Sequence, residues 1–238
     1  MSFSRSAVVL CLLLTSGRIA WGDDDPGKSE KTVPAPRRGW VFLDEKVWLR
    51  YADEPPMHMD RARERFLKRE YNAAARELHK VGGYLHAAAS HAEEDVKKAL
   101  ESSAREIDSL ATGVEKGTVK TVDKLEEAFA RAEHALALHH HRMAERAAEH
   151  NQPVTAGEHL RAAVNHVENA AKWTGHMLEE DSRSVLRGAK ELAGKMIAVP
   201  GFLLKESSKG MQAVGSEIQR LGKRIEPYHP DPNLEKVP

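Results

Sequence analysis

Histidine is the residue type with the clearest potential for chemistry in this sequence. The chain of 238 residues contains 13 histidines, most of them between His79 and His176. Two ligands on one helix reach the same ion when three or four residues separate them. The spacings here are mostly seven, as between His79 and His86, which puts two rings about 10.5 Å apart along a helix axis. A metal or haem site would therefore have to be built between helices.

Three histidines are the candidates for such an interhelical site. His79, His86 and His140 all fall just beside a predicted apolar seam, so helix pairing can bring them together. We take these three as the candidate ligands of a transition metal or haem. The competing interpretation, which we favour, is a set of solvated or partly buried rings at the seam edge, with no cofactor.

The histidines also suggest that the stability of the bundle depends on pH. An ordinary histidine has a pKa of about 6.5, so a row of them along a bundle becomes charged as the surroundings acidify. Charged rings would loosen the helix contacts. This hypothesis predicts a melting temperature that falls between pH 7 and pH 5.

Motifs that would indicate an enzyme are missing from the sequence. No Glu-x-x-His pair, the motif that holds di-iron centres in helical bundles, lies on a predicted helix. It also lacks His-Glu-x-x-His, Cys-x-x-Cys-His, a glycine-rich dinucleotide loop and a P-loop. The sequence therefore favours a protein that is not an enzyme.

The N-terminus has the pattern of a secretory signal. Arg5 precedes an apolar run at 7–14, and the small residues Ala20 and Gly22 stand before three aspartates. The run is shorter than the roughly 20 residues that span a bilayer. We predict a signal peptide at 1–22 and a periplasmic or extracellular location, and cleavage would remove Cys11, the single cysteine.

Charge argues against a nucleic-acid partner. Without Arg5 and Arg18, 34 basic residues face 36 acidic ones, and only 5% of the chain is aromatic. Proteins that grip nucleic acid usually show a basic face with stacking aromatics. We therefore expect a protein partner or self-association instead.

Composition divides the rest of the chain into four parts. Residues 23–38 are polar and proline-containing, which predicts a disordered tether. Residues 39–56 hold half of the tryptophans and predict a small aromatic hairpin or a wrapping segment. Residues 57–226 carry the helical pattern, and 227–238 read as a disordered tail.

A heptad seam predicts long helices packed nearly in line. Between Asn72 and Val114, apolar or small residues alternate in steps of three and four. We predict one helix of roughly 60 Å over this stretch, with the first break at Gly113 and Gly117. The seam positions are Leu78, Gly82, Leu85, Ala89, Ala92, Val96, Ala99, Ser103, Ile107 and Leu110.

Three more helices follow in the prediction. A helix capped by Thr121 or Asp123 runs to about His150, and Pro153 then starts a helix that continues past Leu192. After Pro200 and Gly201, a last helix extends to Ile225. Its glycines predict tight docking on the bundle. The alternative is weak membrane-surface contact through residues 201–226.

A weak internal repeat completes the fold prediction. The stretch from Arg69 to Leu78 aligns with that from Asn151 to Leu160, each placing a tight turn before an alanine-rich helix. The predicted fold is an all-α bundle of long antiparallel helices, with two related helical hairpins and a C-terminal helix.

The sequence favours a structural or protein-interaction role in the cell envelope. The heptad seams and the tether before the bundle support this interpretation, and no motif supports catalysis. The alternative is a periplasmic protein that binds metal or haem through interhelical histidines.

Overall fold

The computed structural model describes residues 54–175, 178–199, 202, 205 and 207–225. These residues form seven α-helices and no strand, so the predicted all-α bundle is confirmed. The predicted segments 1–22, 23–38 and 227–238, and 39–53 of the aromatic segment, lie outside the described residues. The helices are α1 Glu54–Leu67, α2 Tyr71–Ser90, α3 Glu94–Glu115, α4 Asp123–Glu149, α5 Pro153–Trp173, α6 Glu180–Ala198 and α7 Ser208–Gly222.

The first helix starts earlier than the sequence pattern predicts. It begins at Glu54, so Pro55 and Pro56 lie in its first turn. Proline is tolerated there because the first backbone N–H groups of a helix have no intrahelical acceptor. The prolines therefore open the helix instead of preceding it.

The prediction of one helix from Asn72 to Val114 is wrong. Helix α2 ends at Ser90 and α3 begins at Glu94, and the two pack against each other as a hairpin. Glu93 adopts an extended backbone, and the acidic residues of the first turn of α3 favour a helix N-terminus at this point. The heptad pattern runs on through the turn because both helices bury the same kind of face.

The predicted helix past Leu192 is likewise divided. Helix α5 ends at Trp173, and Gly175 has a φ of +66°, a backbone conformation that glycine adopts without strain. Helix α6 then starts at Glu180, again after an extended glutamate, Glu179. Two short turns that lack a proline thus produce two more helices than the sequence suggested.

The repeat predicted from the sequence has a counterpart in the backbone. Arg69 and Asn151, the aligned residues, are the two non-glycine residues with positive φ in the described part of the chain, at 61° and 55°. In both turns the next residue donates a 2.9 Å backbone hydrogen bond to the carbonyl five residues earlier. This is the Schellman closure of a helix C-terminus.

Helix α4 lacks the predicted cap. Val122 precedes it with helical dihedrals, and no side chain caps the helix, so neither Thr121 nor Asp123 has the predicted role. Asp123 and Glu126 instead lie in the first turn, where their charges suit the helix dipole. The end of α4 at Glu149 agrees with the prediction.

Helices α4 and α5 form the most extensive helix pair of the bundle. Its core is rich in alanine, with larger residues such as Phe129 and Leu160 fully buried. Helix α7 packs its apolar side on this pair and on α6. A Cβ on Gly210 would lie 2.4 Å from Leu192, which confirms the predicted close docking. None of the described helices is both long and apolar enough to cross a membrane.

Candidate functional site: a buried histidine cluster between two helices

Two pairs of polar side chains meet inside the interface between α4 and α5. Nδ1 of His140 lies 3.0 Å from Nδ1 of His159, and Nδ1 of His166 donates to Oε2 of Glu133 over 2.6 Å. Glu133 is seven residues before His140, and His166 is seven after His159. A single antiparallel register of α4 against α5 therefore brings both pairs of side chains into contact.

The rings also stack on one another. The His140 and His166 rings lie 5.2 Å apart between centroids and are nearly parallel, at 13°. His139 meets the edge of His140 at 5.3 Å. We call the five residues Glu133, His139, His140, His159 and His166 the buried histidine cluster, since none is more than 3% exposed.

Burial keeps the imidazoles of His139 and His140 uncharged near neutral pH. Burial, with a smaller effect of the neighbouring histidines, lowers the pKa of His139 to about 4. Burial also holds the pKa of His140 well below its ordinary value, again helped by the surrounding rings. A charge here would lose its hydration and repel the other rings as they become charged.

The hydrogen bond between His140 and His159 depends on a neutral ring. In the pair of His140 and His159, one Nδ1 donates its proton and the other accepts it, so at least one ring must be neutral. Oε1 of Glu133 and Nε2 of His140 have no hydrogen-bond partner among the described residues. A buried polar atom without a partner is costly, so this network is only partly satisfied.

The cluster has the donor types that transition metals prefer, but not the geometry. Neutral imidazoles and a carboxylate are ordinary ligands for such ions. Across the described ranges, however, no three His, Cys, Asp or Glu side chains are arranged to hold one. The cluster is also closed to solvent. In this conformation its hydrogen bonds connect α4 with α5.

The candidate ligands His79, His86 and His140 are distributed over two places. His79 and His86, both half exposed, lie around Asp108 of α3, at 3.8 Å and 2.9 Å from its carboxylate oxygens. Gly82 makes room, since a Cβ there would lie 2.4 Å from the Asp108 carboxylate. His140 instead contacts the histidines of the buried cluster. The proposal that the three bind a metal stays a prediction.

Two further histidines on α4 hold the C-terminal helix. Nε2 of His134 donates to the Ile218 carbonyl over 3.0 Å, and Nε2 of His141 donates to the Met211 carbonyl over 2.9 Å. Both the rings and the carbonyls are seven residues apart. A spacing of seven is too wide for two ligands of one ion. It does suit two successive hydrogen bonds between antiparallel helices.

Sequence reasoning did not select Glu133, His139, His159 and His166 as members of a site. The signal was present in the matching spacings of seven on either side of the Asn151 turn. These matching spacings indicate a site only when α4 and α5 are treated as an antiparallel pair, because the hydrogen-bond partner of each residue lies on the other helix.

The fold and its polar sites define this chain as an all-α helical-bundle protein with a histidine cluster in its core. No protein-family model matches the chain, and no significant similarity was found to a curated protein or to a solved structure.

Proposed function

We propose that this chain is an exported, non-enzymatic helical-bundle protein that acts in the cell envelope by binding a protein partner, or a second copy of itself, through helix surface. The observation that carries the proposal is the burial of the histidine cluster. Its side chains have the chemistry a catalyst could use, but at 0 to 3% exposure no substrate can reach them in this conformation. The outer surface of the helices is then what the fold offers to other molecules.

Exposed apolar side chains at the ends of helices support the proposal. Leu67 and Tyr71 flank the turn between α1 and α2, Val154 opens α5 and Val199 follows α6. An exposed large apolar side chain gains free energy when a partner removes it from water. These four positions are where we would look first for a partner.

Site-specific photocrosslinking in the native compartment tests the proposal. A photoreactive residue at Leu67, Tyr71, Val154 or Val199 should give discrete adducts from at least one position. Exposed charged positions such as Lys98 and Arg187 serve as matched controls. Adducts that are absent, or equally strong at the controls, would contradict an interaction role.

Two further measurements accompany the crosslinking. N-terminal sequencing of the exported form should begin at Asp23, and an uncleaved Met1 in the cytoplasm would refute export. Stoichiometric metal or haem in the native protein, lost on changing His79, His86 and His140 together, would favour the metal- or haem-binding alternative.

A further inference from the structure

We propose that the turn between α1 and α2 binds an anionic membrane surface. The residues in contact with lipid are Arg65, Leu67, Lys68, Arg69 and Tyr71, which we call the basic tip. The inference goes beyond the proposed function and does not rest on it, because the basic tip contacts lipid and leaves the exposed valines of the other helix ends for a protein partner.

Positive charge is concentrated in the hairpin that carries the basic tip. Residues 60–80 contain seven basic and four acidic residues, with histidine left out of the count. The related stretch of the repeat, 142–162, contains three of each, and the chain as a whole is balanced. The excess of cations is therefore local to the hairpin of α1 and α2.

The acidic side chains of this hairpin do not neutralise the excess. Each of the four is already paired, Asp60 with Lys172, Glu64 with Lys68, Glu70 with Arg65, and Glu77 with His58 and Lys80. Glu126 of α4 pairs with Arg63 in the same way.

Three arginines are left over. Arg61, Arg69 and Arg76 are exposed and form no ion pair with any residue in the described part of the chain. A guanidinium group binds phosphate oxygens through two parallel hydrogen bonds. The phosphate groups of lipids are therefore suitable partners for these side chains.

Arg69 occupies a backbone position that does not suit arginine. Its φ of 61° strains a residue with a Cβ, whereas the aligned turn has Asn151, which tolerates this conformation better. Strain of this kind points to a role for the side chain. Since the Arg69 side chain is exposed, we place its partner outside the bundle.

Apolar side chains flank the cations of the basic tip. Leu67 ends α1 and is 53% exposed, and Tyr71 begins α2 and is 36% exposed. The Tyr71 ring meets the edge of the buried Phe66 ring, with centroids 5.5 Å apart, which holds it at the surface. Apolar and aromatic side chains beside Lys and Arg are typical of segments that lie in the interface of an anionic membrane.

The shape of the basic tip favours lipid over an acidic protein. A turn at the end of a helical hairpin is convex, and lipid headgroups can surround it without a matching cavity. The C-terminal helix, which the sequence offered for membrane contact, buries its apolar residues on the bundle in this conformation. These residues are Met211, Val214, Ile218 and Leu221.

Vesicle binding by the chain without its predicted signal, residues 23–238, tests the proposal. Co-sedimentation with vesicles of phosphatidylglycerol and phosphatidylcholine should show binding that is absent with phosphatidylcholine alone and is lost in about 0.5 M salt. Arg69→Asn with Arg76→Gln should weaken binding at least about tenfold, since each cation contributes roughly fivefold. Residues 23–53 are the same in every variant, so they do not affect the comparison.

The matched control removes two exposed cations from the related hairpin. Arg146→Gln with Arg161→Gln should change binding by less than about twofold, because both residues lie outside the basic tip. Absence of binding to the anionic vesicles would overturn the proposal. So would binding that both double variants weaken equally, or that neither weakens.

A fluorescent label locates the contact. The chain from residue 23 onwards has no cysteine, so Leu67→Cys, Val154→Cys and Val199→Cys can each carry one polarity-sensitive dye. With the anionic vesicles, the emission at position 67 should shift to the blue and that at positions 154 and 199 should not. An unshifted label at 67 would overturn the proposal. Protein crosslinks at Leu67 or Tyr71 without vesicle binding would also overturn it, while supporting the proposed function.

Discussion

The imidazole of His134 lies against Gly222, the last residue of α7. A Cβ on this glycine would be 2.6 Å from Nε2 of His134, the atom that donates to the Ile218 carbonyl. The same arrangement recurs seven residues away on each helix, where a Cβ on Gly215 would be 3.0 Å from the His141 ring. The C-terminal helix is therefore docked through histidine rings that lie over glycines.

The first prediction concerns this contact. Gly222→Ala should lower the free energy of unfolding by about 1 to 3 kcal/mol, because the new methyl group displaces the His134 ring. Gly188→Ala in α6 is the matched control, since a Cβ there meets nothing within 4 Å. The control should gain up to about 1 kcal/mol from helix propensity. Urea unfolding measures both, and a stabilising Gly222→Ala would contradict the docking described.

The two positive-φ residues of the repeat allow a second prediction. Arg69→Gly should stabilise the chain by about 1 kcal/mol, since arginine with a Cβ is strained at a φ of 61°. Asn151→Gly should change stability by less, because asparagine tolerates this conformation better. Thermal melts compare the variants. A larger gain at Asn151 than at Arg69 would show that backbone strain does not decide the difference.

A third prediction concerns the ion pair between Glu106 and Arg131. Arg131 binds both carboxylate oxygens of Glu106, and burial raises the pKa of this carboxyl. Arg131→Leu alone should cost about 3 to 5 kcal/mol at pH 7, because it leaves a buried carboxylate unpaired. The cost should shrink as the pH falls and Glu106 takes up a proton.

The double variant is the control for this pair. Glu106→Leu combined with Arg131→Leu should recover most of the loss, since two apolar side chains replace two charges. Denaturant unfolding at pH 7 and pH 5 measures both effects. A double variant as unstable as the single one would show that the ion pair itself is not the cause.

The fourth prediction concerns the core. Leu85→Ala, Phe129→Ala and Leu160→Ala should each lower the free energy of unfolding by about 2 to 5 kcal/mol, because all three side chains are fully buried. Leu67→Ala is the control at a position that is 53% exposed. Its effect should stay within about 0.5 kcal/mol. Similar losses at all four positions would contradict the core assignment.

The turns show how far sequence patterns predict this fold. The turn at Asn151 could be predicted because Pro153 marks the start of a helix. The turns after Ser90 and Trp173 could not, because alternation in steps of three and four continues through the first one and no proline interrupts either. Both turns lead into the motif Glu-Glu-Asp, at Glu93 and Glu179, whose acidic side chains favour a helix N-terminus. That shared motif was the available signal.

The helical class, the alanine-rich seams and the repeat are predictable from the order of residues, because helical periodicity is a property of neighbours along the chain. The tertiary structure alone decided which histidines meet. His79 and His86 find Asp108, whereas His140 finds His159 and His166. Such pairings depend on the register between antiparallel helices, and this register is set by the turns that reverse the chain.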